Sequence, residues 1–407
     1  MHYMNVVTPI SVAAGFINGS SFTITGSGFG TKSRALSPIL RDVGAAATGT
    51  LDAQWSGGYP NAATTDTNFN IQNQTAGFQP TPTAIGTPHP YVPRIIAGCH
   101  GDHTDGGNTN ENVGAWVGFS IPTLPYVLYS SLYHRASPDW EFGIFVGGVN
   151  GDNYKTYSYN GMGDIYGGSS NEYAYLNFAG VAKDNATSTY QFVYDAPHPP
   201  GGWQNPDLNG ENAFRQFVPA PWYPGNGWIK EEIEILVTTD ATLGGGGRMD
   251  GWYSSLTAGR DCSQNIFQKN AQINYRGWTD GGPAGGSPYT GTTRYWQIGG
   301  YSVDYGNRTG TNGGGTTAYN YRFFADIYFD ITGTVSPGAS VARVLVGNNP
   351  SYTACTVREP QIITAWADGS ITFTFWKGAL QTGSIGYVHV VTESGTILSN
   401  VASALVN

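Results

Sequence analysis

Hydrophobic positions along this chain recur at a spacing of two. In "SFTIT", Phe22 and Ile24 alternate with Ser21, Thr23 and Thr25, the spacing that puts apolar side chains on one face of a strand. The same alternation runs through "AWVGFSIP" from Ala115, "YVLYSSLYHRAS" from Tyr126, "EFGIFVGGV" from Glu141, "EYAYLNFAGV" from Glu172 and "STYQFVYDA" from Ser188. In "GWIKEEIEILVTTD", Ile229, Ile233, Ile235 and Val237 fall opposite Glu232 and Glu234. In "YNYRFFADIYFDIT", Phe323, Ala325, Ile327, Phe329 and Ile331 are expected to share one face. No window sustains a helical period over twelve residues. After Val341 the strands shorten and tighten: "SITFTF" from Ser370, then "YVHVVTESGTILSN", a hairpin turning at Ser394-Gly395. The pattern predicts an all-β protein.

Glycine-rich stretches such as "NGMGDIYGGSSN", "TLGGGGRMDG" and "TDGGPAGGSPYTGT" separate the middle strands. They exceed hairpin length and mark functional or mobile loops. Charged residues are 12 % of the chain, about half the ~25 % of an average domain. Glycine occupies 58 of 407 positions and tyrosine 26, which fits strands joined by long loops and 407 residues shared by more than one core. A net charge of −9 without any basic run excludes a nucleic-acid binder, which needs cations to neutralise phosphates. No apolar run is long enough to span a membrane, and "MHYMNVVTPISVAAGF" lacks the basic and apolar regions of a signal peptide. Cys99, Cys262 and Cys355 lie far apart with no zinc spacing. Free buried thiols are the simplest reading, and one bridge stays open.

The segment "ISVAAGFINGSSFTITGSGFGTK", Ile10 to Lys32, resembles the opening of an IPT/TIG domain, an immunoglobulin-like β-sandwich. The closing half of that pattern stands as "AWADGSITFTF", Ala365 to Phe375, and "GYVHVVTESGTILSN", Gly386 to Asn400. The resemblance implies one Ig-like domain split between residues 6–45 and 340–407, because insertion at a surface loop leaves the host ends close together. The interior, 46–339, resembles more loosely the concanavalin-like jelly rolls of legume lectins, laminarinase-type hydrolases and alginate-lyase-type enzymes. The expected architecture is thus all-β, a jelly-roll β-sandwich inserted into an Ig-like IPT/TIG β-sandwich.

Chemistry is thinner. A laminarinase-type site needs spaced carboxylates, and here Leu236 and Val237 stand where the third acid belongs. Glu231, Glu232 and Glu234 therefore read as a solvated strand face. A lyase needs a Tyr or His base and a group that neutralises a uronate. Tyr133, His134 and Arg135 offer this on one strand, and Lys155 and Tyr157 could join them. The oxygen-rich loop "GDHTDGGNTNEN" makes Asp102, Asp105 and Asn108 candidate Ca²⁺ ligands, without EF-hand spacing. Exposed tryptophans stack on sugars, and Trp140, Trp252 and Trp296, near Gly-rich loops, with Tyr133 and Arg135, form the expected glycan platform. Taken together, the sequence favours a non-enzymatic virion-surface protein of a phage tail, fibre or capsid decoration, at the virion surface or extracellular. Its expected partners are other virion proteins or itself, and glycans, with no nucleic acid and no membrane insertion. The alternatives are a polysaccharide-degrading enzyme, lyase before hydrolase, and an extracellular adhesin.

Overall fold

The computed structural model describes residues 10–11, 15–43, 69–72, 86–92, 95–102, 112–120, 127–136, 153–160, 175–181, 190–195, 215–218, 227–236, 247–255, 265–271, 295–303, 319–332 and 338–407. In chain order the strands begin with β1 (Ile10–Ser11), β2 (Ser21–Thr25), β3 (Leu40–Asp42), β4 (Phe69–Gln72), β5 (Ile95–Asp102), β6 (Asn112–Ser120) and β7 (Val127–Ala136). The middle of the chain gives β8 (Asn153–Asn160), β9 (Tyr175–Val181), β10 (Tyr190–Asp195), β11 (Arg215–Val218), β12 (Ile229–Leu236), β13 (Gly247–Ser255), β14 (Asn265–Ala271), β15 (Tyr295–Val303) and β16 (Tyr319–Thr332). The last are β17 (Arg343–Gly347), β18 (Arg358–Pro360), β19 (Ile362–Ala367), β20 (Ser370–Thr374), β21 (Ile385–Val391) and β22 (Ile397–Leu405). Among the described residues, one 3₁₀ turn at Tyr352–Ala354 is the only helical element. The protein is all-β, and none of its described segments is a helix long and apolar enough to cross a membrane.

The two ends of the chain share sheets. β2 lies antiparallel to β20, with Phe22 opposite Phe373 and Ile24 opposite Ile371, and with β19 they make a three-stranded sheet, β19-β20-β2. A five-stranded sheet runs β1-β22-β21-β17-β18. Inward residues of both sheets, among them Phe16, Phe22, Ile24, Val344, Val346, Phe373, Phe375, Val388 and Val390, fill one buried core. Phe16 stacks on Phe375 at 4.9 Å between ring centroids, and Phe22 meets Phe16 edge-on at 5.1 Å, the offset and T-shaped geometries that ring quadrupoles favour. The hairpin from β21 to β22 turns at Gly395, with φ of 79°. A Cβ there would sit 2.0 Å from the Gly338 carbonyl oxygen, so both the turn and the close approach require glycine.

The interior strands form two larger sheets. One runs β14-β13-β12-β7-β16-β5-β4, with β3 also paired to β16; the other runs β11-β10-β9-β8-β15-β6. β7 sits at the heart of the first, flanked antiparallel by β12 and β16. β16 departs from strict alternation. Its register shifts between Ala325 and Tyr328, where Asp326 adopts φ of 48°. Such a bulge inserts one residue and inverts the facing of every later position in the strand. Phe323 and Ala325 therefore share a face with Tyr328 and Asp330, while Ile327, Phe329 and Ile331 take the other. The single apolar face expected from the sequence is split in two.

Candidate functional site

The face of the eight-stranded sheet that carries Tyr129, Ser131 and Tyr133 of β7 also carries Lys230, Glu232 and Glu234 of β12, as the register requires. By composition it should be wet. It is buried instead: Glu232 is 1 % and Glu234 3 % exposed, because residues 340–361 pack over it. This corrects the reading of Glu231, Glu232 and Glu234 as a solvated face. A buried carboxylate needs a cation and hydrogen bonds, and the C-terminal strands supply both. Arg343 donates to Glu234 at 2.5 Å, with Ser340 adding a bond at 2.6 Å. Arg358 donates to Glu232 at 3.0 Å, whose other oxygen accepts from Tyr129 at 2.9 Å. Glu359 reaches back, accepting from Lys230 and from the Tyr133 hydroxyl, each at 2.5 Å. At the bulge, Asp326 accepts from Arg41, from Trp376 Nε1 at 2.8 Å and pairs with His89 at 2.8 Å. Lys32 closes the set on Asp330 at 2.7 Å.

The electrostatics are set by these pairings. Burial pushes the Glu232 carboxyl up, but Arg358, Lys230 and Arg343 outweigh it and hold the group below its usual range. Asp326 is likewise held well below the carboxylate range, burial being overcome by Arg41 and His89. Burial wins at Asp330, which is raised in spite of Lys32 and Arg34. Beside this network, Cys355 Sγ lies 3.5 Å from His389 Nε2. Burial pushes the thiol up to about 11, and burial followed by Arg358 pulls the imidazole down to about 4. Both are neutral near pH 7, so the pair is not an activated thiolate. The carboxylates of this layer are matched by cations of the same chain, and the layer is a strut between sheets.

Of the expected site residues, Tyr133 lies inside that strut, fully buried. No sugar reaches its ring, and its hydroxyl is committed to Glu359, so it leaves both the glycan platform and the role of lyase base. His134 is turned to the opposite face and held by Glu231 at 3.1 Å. Arg135 is half-buried, and burial lowers its pKa. Lys155 and Tyr157 lie on β8 in the six-stranded sheet, while Tyr133 lies on β7 in the eight-stranded one. Trp140, Asp105 and Asn108 lie outside the described residues. Asp102 ends β5, Trp252 pairs with Glu232 at register level on β13, and Trp296 lies on β15; their side chains lie outside the described set. Among the described residues no group of His, Cys, Asp and Glu is placed to hold a metal.

The six-stranded sheet sorts its residues differently. Ile298 of β15 is fully buried, and the positions that share its face by register are apolar or aromatic. Val117, Tyr157 and Phe178 lie in its own row, and Phe119, Trp296, Tyr159 and Leu176 in the next of the same parity. The alternate rows hold most of the polar positions, together with Trp116, Ala179, Val193 and Phe217. One runs Gly118, Gln297, Ser158, Asn177, Asp195 across five strands. A second runs Ser120, Tyr295, Asn160, Tyr175. A third brings Lys155, Ala179, Val193 and Arg215 into line. Amide, hydroxyl, phenol and cation positions thus gather on one face of one sheet. Simple alternation misses this because the register of β8 shifts between Lys155 and Tyr157, which brings Tyr154 onto the face of Tyr157 and Tyr159; the buried Ile298 fixes the phase of the sheet.

No protein-family model matches the chain, and no curated sequence does. Some solved structures align with it over much of their length. An endo-β-1,4-glucuronan lyase from the fungus Trichoderma reesei aligns over 72 % of this chain and 96 % of its own, with a TM-score of 0.38 and 10 % identity. An alginate lyase from Aplysia kurodai aligns over 78 % of this chain and 100 % of its own, also with a TM-score of 0.38 and 10 % identity. The alginate lyase Aly36B aligns over 79 % and 100 %, with a TM-score of 0.36 and 9 % identity. The virion-surface reading is corrected at this point: the three solved structures named above are polysaccharide lyases, and that reading is set aside.

Proposed function

We propose that this chain is a polysaccharide lyase that cleaves a uronic-acid polymer on the polar face of its six-stranded sheet. The observation that carries the reading is the row Gln297–Ser158–Asn177, flanked by Lys155 and Arg215 on one side and by Tyr295 and Tyr175 on the other. β-Elimination at a uronate needs a group to neutralise the carboxylate, a base to remove the proton α to it, and an acid for the departing glycosidic oxygen. Gln297, Asn177, Lys155 and Arg215 suit the first task. A tyrosine of the Tyr295–Asn160–Tyr175 row suits proton transfer. In the step, the C5–H bond breaks, its electron pair forms the C4–C5 double bond, and the C4–O bond leaves with a proton delivered to oxygen. In this reading the interior strands form a jelly roll, the terminal strands form the IPT/TIG-like sandwich that carries it, and the partner is an anionic glycan.

The test is turnover on a panel of polyuronates, glucuronan and alginate among them, followed by the ultraviolet absorbance of the unsaturated product. Gln297→Ala and Lys155→Ala should each lower kcat/KM by on the order of 10²-fold, as loss of one positioned charge-stabilising group does. Wild-type rates in both variants would remove this face from the chemistry.

A further inference from the structure

β2 ends its sheet. Among the described residues, the order β19-β20-β2 leaves one side of Ser21–Thr25 unpaired, and an open edge is a template for another strand unless something guards it. Other edges in the terminal sheets have guards. β19 carries a register irregularity between Ile363 and Ala365, β18 is three residues long and ends in Pro360, and β1 has two residues. β2 has none of these. "SFTIT" contains no charge and no proline, and its register with β20 is regular over all five residues.

The backbone phase shows what the edge offers. Phe375 N donates to Ser20 O at 2.8 Å, and Gly26 N donates to Gly369 O at 3.0 Å. Residues of that parity bond to β20, so the N–H and C=O groups of Ser21, Thr23 and Thr25 point to the open side. The side chains of these three residues are exposed, while Phe22 and Ile24 are buried.

We propose that β2 pairs with β2 of a second copy of this chain, antiparallel about Thr23, and joins two three-stranded sheets into one. The edge is complementary to itself. Rotation about Thr23 sets Thr23 opposite Thr23 and Ser21 opposite Thr25, an all-hydroxyl face of the kind that forms favourable cross-strand pairs. The same rotation sets Phe22 opposite Ile24, so the two apolar faces meet in phase. No like charges oppose each other. A two-fold contact of this kind closes on itself and stops at a dimer. The pairing does not depend on the activity proposed above.

Sedimentation of the full chain over a range of concentrations should show a reversible monomer–dimer equilibrium. Thr23→Lys and Thr23→Glu each place like charges directly opposite, and each should weaken the dimer by about tenfold or more; mixed in equal amounts, the two should restore it. Under oxidation Thr23→Cys should give a covalent dimer beyond any formed by wild type, since opposite Cα atoms of a hydrogen-bonded pair lie ~5.5 Å apart, within disulfide reach. Ser21→Cys, whose opposite residue is Thr25, should not. A wild-type monomer at every concentration overturns the proposal. So does a dimer that ignores both charge variants, or a mixture that fails to recover.

Discussion

Arg358→Met tests the buried strut most sharply. Arg358 is fully buried, its Nε donates to Glu232 at 3.0 Å, and its guanidinium lies 4.1 Å from the Tyr352 ring centroid. Methionine keeps much of the volume and removes the charge. Glu232, 1 % exposed, then keeps the Tyr129 hydroxyl but loses the cation bonded to it. Breaking a buried pair from one side costs about 3–5 kcal/mol, and here Lys230 and Arg343 still act on Glu232, which places the loss at the lower end of that range. Were the cooperative unit 150–250 residues, Tm would fall by roughly 6 °C or more. Adding Glu232→Gln removes the stranded charge and preserves an acceptor for Tyr129. The double variant should therefore recover about 1–3 kcal/mol of the loss, a coupling of the size seen for residues in one network. Denaturant unfolding of wild type, both singles and the double closes the cycle. An Arg358→Met loss under ~1 kcal/mol, or no recovery in the double, would show that water reaches Glu232 and would refute the burial argument.

Wild type should lose stability in acid. Glu232 and Asp326 titrate below their usual range in the folded state, so the unfolded chain binds their protons first and stability falls as pH drops below ~4. Asp330, raised by burial, has the opposite sign and offsets part of this; a pH series of chemical unfolding reads the balance. Tyr133→Phe removes a buried donor to Glu359 and should cost about 1–3 kcal/mol while leaving glycan turnover unchanged, measured as Tm beside kcat/KM. Gly395→Ala should destabilise by at least ~1 kcal/mol, since the position combines φ of 79° with a 2.0 Å approach to Gly338; a neutral result in thermal unfolding would contradict the turn geometry.

Strand positions were legible in the sequence because alternation reports local geometry. "SFTIT", "GWIKEEIEIL" and "YVHVV" each became a strand. Which face would be wet was not legible. Glu232 and Glu234 look solvent-facing until Arg343 and Arg358, more than a hundred residues away, are seen to cover them, and periodicity carries no information about such distant partners. The bulge at Asp326 was hidden for a related reason: one inserted residue inverts the phase of β16, and Asp326 is held in that conformation by Arg41, His89 and Trp376 from three other segments. Tyr133 drew attention as a base beside an arginine, yet its hydroxyl satisfies a buried carboxylate. The polar rows of the six-stranded sheet needed the register of β15 on β8 and β9 before Gln297, Ser158 and Asn177 could be brought into line.

The identity of the reaction product tests the central claim most directly. Mass spectrometry of wild-type protein incubated with a uronic-acid polymer should find oligosaccharides whose new non-reducing ends carry a C4–C5 double bond, each lighter by one water than the hydrolytic product. Oligosaccharides with saturated ends would make the chain a hydrolase, and intact polymer after prolonged incubation with every polyuronate tested would contradict the lyase reading altogether.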